Sequence, residues 1–490
     1  MVVTRFAPSP TWYVHIWSLR TVLYNYLFAK WNNWRFLLRI EDTDQTRYVE
    51  GSVENMIQVL ASVWLIPDEW PNNPWKLGPY FQSERLDIYS KYVNELIEKD
   101  NAYYCFCSAE RLEELRAEQT SLGLPTKYDK KCRYLTAEEI KANLDAKKPY
   151  VVRLKVPDNE EIVFEDIIKW KVKVNSKDID DQVLLKSDWF PTYHLAVVVD
   201  DHLMEITHVI RWEEWVPSTP KHILLYKAFW WQPTVYAHLP SLVWADRKKL
   251  SKRTWDVAVE SYLSKWYLTE AIINYIALLG WNPKTTEEFF TMDELIKRFN
   301  LNDVHKAWAF FDIERLKFFN SHYLKTLDIN YIYDKIVTYL SKYDPDFYKI
   351  FMSHDKEYNL KVIEELRTRV RYLEEFKELT SFLYSEPREI NKGLLLNPKM
   401  KIEDIETAKK WLEIALQVLN SRDKDFDNIE EIKNLFIDEI AKAEMKNGQV
   451  LWPVRVALSW EEFSPGALEL IYILWITESK TRIEKTLITL

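Results

Sequence analysis

The stretch APSPTWYVHIWS (7–18) carries a histidine, His15, between two contrasting segments. VVTRF (2–6) reads as a short buried strand, and residues 18–30 put Leu19, Val22, Leu23, Tyr26 and Leu27 on one helical face. A strand–loop–helix turn is where α/β folds hold nucleotide phosphates. An imidazole there can hydrogen-bond charge that develops on a phosphate, although a loop histidine taken alone is more often a polar surface group. A second stretch, RKKLSKRTWD (247–256), crowds lysines and arginines into one short segment. Such a loop can neutralise a triphosphate. Taken alone, a basic run is usually a solvated face or a generic nucleic-acid patch. A third group is sulfur. Cys105-x-Cys107 and Cys132 are all the cysteines of the chain. Their closeness suits a tetrahedral thiolate site for zinc, with three reduced thiols as the plain alternative.

These groups need positioning elements. A second strand is predicted at 36–40, and helices at 52–64 and 84–98, an order that implies a parallel sheet with crossover helices. Residues 105–190 read as an insertion with short β-like runs, such as 150–155. LAVVV (195–199) then reads as a buried strand that resumes the sheet. From about residue 256 the pattern is almost wholly helical, with one long amphipathic helix over 362–383. The expected fold class is therefore an α/β N-terminal half of Rossmann type with an insertion, followed by an all-α C-terminal half.

The 490 residues are enough for three or four domains. With 47% apolar and 29% charged residues the composition is that of an ordinary globular protein. The opening MVVTRFAPSP has no basic and apolar signal pattern, and no apolar run is long enough to span a bilayer. Three cysteines exclude a disulfide scaffold, and the expected compartment is the cytoplasm. A net charge of −9 argues against a nonspecific nucleic-acid binder but leaves room for a local basic face.

Together the two motifs resemble the paired signatures of a class I aminoacyl-tRNA synthetase, His15-Ile16-Trp17-Ser18 and Lys249-Leu250-Ser251-Lys252-Arg253. TRFAPSPT (4–11), RIEDTD (39–44), GPYFQSER (78–85), KSDWFPTYHLAVVVDDHLMEITHVIR (186–211) and LLGWNP (279–284) resemble the bacterial and organellar glutamyl-tRNA synthetases. The resemblance implies a catalytic domain at 1–104 and 191–245 and an acceptor-stem insertion at 105–190. A stem-contact domain at 246–325 and a helical anticodon-binding domain at 326–490 would follow. It implies ATP and Mg²⁺, with L-glutamate and tRNA(Glu) as partners, no membrane, and a monomer. His15, Lys249, Ser251 and Lys252 would be catalytic. Arg5, Ala7, Ser9, Glu41, Tyr193 and Arg211 would form the glutamate pocket, the arginines on the side-chain carboxylate and Glu41 toward the α-amino group. Some members have asparagine where Val197 stands. Ser9, His15, Trp17, Ser18, Trp215 and Lys252 would contact ATP. Arg367 and Arg369 would meet the anticodon, the alternative being solvated helical arginines. Some members hold zinc with C-x-C-x24-C-x-H; here the histidine is replaced by Tyr134, and Tyr128 is the other candidate fourth ligand. A tRNA-modifying glutamyl transferase of the queuosine pathway is the nearest alternative, and such relatives lack the anticodon domain. A noncatalytic tRNA-binding paralogue is the other.

The resemblance also exposes an anomaly. The chain has 7 glycines and 22 tryptophans, where average usage gives about 34 glycines. Trp12, Trp17, Trp34, Trp70, Trp170, Trp189, Trp212, Trp230, Trp255, Trp266, Trp308, Trp460 and Trp475 stand where the family has glycine, and Trp64 and Trp75 join them. Trp215, Trp231, Trp281 and Trp452 stand where the family accepts tryptophan. Reading UGA, a glycine codon in some lineages, as tryptophan would give this pattern. If the tryptophans are real, the chain would instead be a decayed paralogue.

Overall fold

The computed structural model describes residues 2–10, 13–244, 258–385, 391–422, 424–442 and 446–490. Lys249, Ser251 and Lys252 lie outside the described residues, as do Trp12 and Trp255. The chain forms two compact units, one of Met1–Tyr262 and Ile272–Ile313, the other of Leu263–Ala271 and Glu314–Leu490.

In the first unit the buried strand β1 (Val3–Phe6) pairs in parallel with β2 (Arg35–Leu38) through the crossover helix α1 (Ile16–Trp31). Helix α1 is buried on most sides, so its polar residues find partners inside. Asn25 Nδ2 donates to the Thr21 and Ile210 carbonyls, and Thr4 Oγ1 donates to the Asn25 carbonyl. Helices α2 (Ser52–Ser62) and α3 (Leu86–Glu98) follow, as the periodicity predicts.

Residues 102–185 contribute strands to two sheets. Strands β3 (Ala102–Cys105), β4 (Val151–Leu154) and β7 (Val183–Leu185) form an antiparallel sheet, with α4 (Ala109–Ser121) and α5 (Ala137–Asp145) between β3 and β4. The hairpin of β5 (Glu161–Asp166) and β6 (Trp170–Asn175) instead extends a sheet of order β6-β5-β9-β8, where β8 is His208–Trp212 and β9 is Val235–Leu239.

Residues 195–199 correct the expectation of a strand, because they lie in helix α6 (Tyr193–Leu203). All five are buried, so the run carries no polar alternation to separate helix from strand. Helix α7 (Thr219–Phe229) joins β8 to β9. Beyond them come β10 (Leu242–Trp244), α8 (Val259–Ser264), α9 (Thr269–Ala277), α10 (Met292–Arg298) and β11 (Ala309–Phe311). Strand β10 pairs in parallel with β11, which places one short strand inside the segment that reads as helical.

Elements of the second unit are helices: α11 (Ile313–Thr326), α12 (Ile329–Tyr343), α13 (Pro345–Met352), α14 (Lys356–Leu366), α15 (Glu374–Tyr384), α16 (Ile405–Asn420), α17 (Ile429–Lys442), α18 (Asn447–Ser459) and α19 (Ala467–Thr489). The single helix expected over 362–383 is broken between α14 and α15. Tertiary partners take the backbone there: Asn320 Nδ2 donates to the Arg371 carbonyl, and the Leu373 N–H to the Trp266 carbonyl. Arg367 and Arg369 therefore sit in this break and not on a continuous helix.

Candidate active site

A cavity of ≈ 1010 Å³ opens at the ends of β1 and β8, where α1 and α6 begin. Its walls include Arg5, Ala7, Ser9, His15, Trp17, Ser18, Glu41, Tyr193, Arg211 and Trp215. Every described residue that the sequence suggests for glutamate or ATP therefore meets in one place. His15 is the N-cap of α1 and lies against Ala258 through a β-bridge. Its ring stacks on Trp17 at 4.4 Å between centroids. Trp212 stands edge-on to Trp17 and donates its indole N–H to Thr21 Oγ1 at 2.6 Å. Val197 is buried within α6 and is not among the wall residues.

The two arginines expected to bind a carboxylate differ in their surroundings. Arg5 reaches Asp201 through Nε at 3.2 Å and Nη2 at 3.4 Å. Arg39 donates to the same Asp201 at 2.8 Å and to Glu41 at 3.0 Å. Burial pushes the Asp201 carboxyl up, and the two guanidiniums outweigh it and hold the group below its ordinary value. Glu41 is shifted the other way, since burial dominates the pull of Arg39 and Arg5.

Arg211 is buried and has no carboxylate ion-pair partner among the described residues. Its Nε donates to His238 Nε2 at 3.1 Å, Nη1 to Tyr193 Oη at 3.2 Å and Nη2 to Thr219 Oγ1 at 2.9 Å. His222 Nδ1 lies 3.4 Å from both Nη atoms. A buried guanidinium among neutral groups keeps its full attraction for an anion that enters.

Burial also disfavours protonation of the histidines around this cluster. His222 is driven well below 6.5, and His194, whose Nδ1 meets His222 Nε2 at 3.1 Å, is lowered to about 4. His208 on β8 is likewise lowered to about 4 by burial. The unfolded chain takes up protons at these sites first. Stability is therefore expected to fall as pH drops from 6.5 toward about 4, read as Tm against pH.

Comparison with known proteins decides the family. Residues 1–318 match the family described as tRNA synthetases class I (E and Q), catalytic domain, and residues 332–487 match an anticodon binding domain. The glutamate–tRNA ligase of Clostridium tetani (strain Massachusetts / E88) is 45% identical over 482 residues, 98% of this chain and 96% of that protein. The chain belongs to the glutamate–tRNA ligase family of class I aminoacyl-tRNA synthetases. The Chlorobaculum parvum ligase is 43% identical over 96% of this chain and 95% of its own length. A crystal structure of a glutamate tRNA ligase from Elizabethkingia meningosepticum CCUG26117, in complex with its amino acid, is 37% identical and covers 100% of this chain and 99% of that one, with a TM-score of 0.89.

A separate cluster of thiols lies at the end of β3 and in the segment after α4. The Sγ atoms of Cys105, Cys107 and Cys132 all lie within 4.8 Å of one another. Tyr128 Oη stands 3.3 Å from Cys105 Sγ and 3.5 Å from Cys107 Sγ, and it accepts the Cys132 N–H at 2.9 Å. Tyr134 is 74% exposed, whereas Tyr128 is buried beside the thiols. Of the two tyrosines, Tyr128 is the one with thiol contacts. Hydrogen bonding from Cys132 lowers the Cys105 thiol well below the usual range.

In the ligase's second unit, Arg367 is held by the Leu327 carbonyl and Glu364, whereas Arg369 is more exposed and 3.7 Å from Glu469. Thr219, His222 and His238 surround Arg211, and Asp166 stands behind His238, all without a sequence motif. Only Thr219 and His222 share a sequence signal, the one-turn spacing of a helix face.

Proposed function

We propose that this cavity is where the ligase joins glutamate to ATP and then passes the glutamyl group to tRNA(Glu). The observation that carries the reading is Arg211, a buried positive charge on the cavity wall with neutral partners. A side-chain carboxylate fits such a group by charge and by fork geometry. Arg5 assists from its Asp201 pair, and Glu41 faces the α-amino group. Ala7, Ser9 and Tyr193 complete the pocket. The α-carboxylate then attacks the α-phosphorus of ATP, and the bond to pyrophosphate breaks. A terminal ribose hydroxyl of the tRNA attacks the resulting acyl phosphate, loses its proton, and AMP leaves. His15 donates to phosphate oxygens at the α1 N-terminus, with Ser18 and Trp215 beside the nucleotide. Lys249, Ser251 and Lys252 hold the α-phosphate on the strength of the family resemblance alone. Bound Mg²⁺ supplies charge neutralisation across the phosphates. Arg367 and Arg369 address the anticodon. The anticodon-domain match over 332–487 weighs against a queuosine-type modifying enzyme. Three unpaired thiols suit the reducing cytoplasm. Glutamate-dependent charging of tRNA(Glu), lost on Arg211→Gln, tests the reading.

We also propose that many of the tryptophans stand where the native ligase has glycine. Fifteen described non-glycine residues have positive φ, and seven of them are Trp64, Trp170, Trp189, Trp230, Trp266, Trp460 and Trp475. The other eight are Asn, Asp, Glu or Lys, so no other bulky apolar residue takes this conformation. Trp230 has φ 62 where α7 ends, with the Trp231 N–H reaching back to the Tyr226 carbonyl, the glycine slot of a Schellman turn. Trp170 has φ 68 at the close of the β5–β6 hairpin, a glycine position in three-residue loops. Trp475 combines φ 59 with ψ 170, a region that glycine alone uses readily. Trp215, Trp231, Trp281 and Trp452 are absent from the positive-φ set, as are Trp17, Trp34, Trp70, Trp75, Trp212 and Trp308. Seven strained positions at roughly 1–3 kcal/mol each would rival a fold's whole stability of about 5–15 kcal/mol. The gene's codons test this directly. UGA at the seven positions and UGG at the four is the expected result, and UGG throughout would refute it.

For the cysteine cluster we propose zinc, bound by Cys105, Cys107, Cys132 and Tyr128. Three thiols and a phenol oxygen supply a tetrahedral donor set, and the close approach of Tyr128 supports its choice. Purified protein is expected to carry about one zinc per chain, and a chelator is expected to lower its Tm. Metal-free protein with an unchanged Tm would contradict the assignment.

A further inference from the structure

We propose that Asp166 and His238 are positioning residues for Arg211, fixing the plane of its guanidinium through one imidazole tautomer. The proposal rests on the reading of Arg211 as the glutamate carboxylate's partner. The three residues lie on adjacent strands of one sheet. Arg211 on β8 is the direct register partner of His238 on β9, and Asp166 ends the next strand, β5.

The proton count follows from the contacts. Asp166 Oδ1 accepts the backbone N–H groups of Ile168 at 2.9 Å and Lys169 at 2.7 Å. Its Oδ2 accepts the His238 backbone N–H at 3.1 Å and lies 2.6 Å from His238 Nδ1. Burial alone would push the Asp166 carboxyl up, but the hydrogen bonds from His238 and Lys169 hold it below its ordinary value. An ionised carboxylate can only accept, so the proton sits on His238 Nδ1. Burial lowers His238, which keeps the ring neutral. Nε2 then presents a bare lone pair and accepts the Arg211 Nε–H at 3.1 Å. Thr219 Oγ1, 3.1 Å from the Trp215 carbonyl, donates there and accepts from Arg211 Nη2. Arg211 is thus anchored along its Nε edge by groups that carry no charge of their own. Its orientation is fixed and its attraction for an anion is kept. With the Nε anchor removed, the guanidinium can swing about its own side chain and lose register with a carboxylate.

The test separates the two ring nitrogens. Asparagine at 238 places its amide near Nδ1 and can still meet Asp166, but nothing accepts the Arg211 Nε–H. Glutamine carries its amide oxygen to the Nε2 position. Pyrophosphate exchange in the presence of tRNA is measured on the full-length, glycine-restored protein, with glutamate and ATP each varied. His238→Asn is expected to raise the KM for glutamate by about tenfold or more while the KM for ATP stays within about twofold. His238→Gln is expected to recover most of that loss. Asp166→Asn sets an amide N–H against Nδ1, moves the ring proton to Nε2 so that Nε2–H faces the Arg211 N–H, and is expected to repeat the glutamate-specific rise. An unchanged glutamate KM in His238→Asn, or an equal rise for ATP and glutamate in both His238 variants, overturns the positioning role. Arg211→Gln distinguishes the two levels. If it leaves the glutamate KM unchanged, the reading of Arg211 itself has failed. If it raises that KM and His238→Asn does not, only the positioning role has.

Discussion

Glycine at positions 17 and 212 is expected to raise tRNA charging by at least about a hundredfold over the tryptophan-bearing chain. Both indoles line the cavity, and Trp17 lies on the His15 ring at 4.4 Å. A phosphate held at a helix N-terminus needs the backbone to come close, which is what glycine allows and a side chain forbids. The indole fills cavity space beside His15 that a phosphate at the helix N-terminus would need. The expected change is a lower KM for ATP together with a higher kcat, because both binding and alignment are obstructed. Charging rates of the two proteins side by side check this, and equal rates would remove the steric argument. The exposed Trp230, with φ 62 and 86% of its surface in solvent, gives a cleaner stability test. Its glycine variant loses little packing, so relief of about 1 kcal/mol should raise Tm by roughly 2–4 °C.

Arg211→Gln is expected to lower kcat/KM for glutamate by roughly 10²–10⁴-fold, as loss of one partner from a buried charge pair costs about 3–5 kcal/mol. Glutamine keeps a donor of similar reach but carries no charge. The variant should therefore lose discrimination between glutamate and glutamine as well as affinity, because the charge that separates the two substrates is gone. Binding of ATP alone, followed by calorimetry, should be unmoved. Activity within a few-fold of the parent would mean that Arg5, already paired with Asp201 at 3.2 Å, carries recognition instead.

Local signals made much of this legible in the sequence. Strand β1, helix α1 and the loop between them follow from periodicity and two prolines, and they bring Arg5, Ser9 and His15 to one cavity. What escaped has a common cause. The run 195–199 is apolar throughout, so its helical turn is invisible without knowing that Asp200 and Asp201 on the same helix must reach Arg85 and Arg5. The break between α14 and α15 is made by Asn320 and Trp266, residues distant in sequence. Asp166 and His238 stand 72 residues apart and meet through strand pairing alone. The tryptophans show the reverse. Residue type there argues against the local conformation, and the backbone keeps the glycine-like geometry that composition obscures.

Pyrophosphate exchange by the glycine-restored ligase, with and without tRNA(Glu), against glutamate, glutamine and aspartate tests glutamate activation at this cavity. Exchange is expected with glutamate alone and only when tRNA is present. Exchange with no amino acid, or with glutamine as readily as with glutamate, would contradict it.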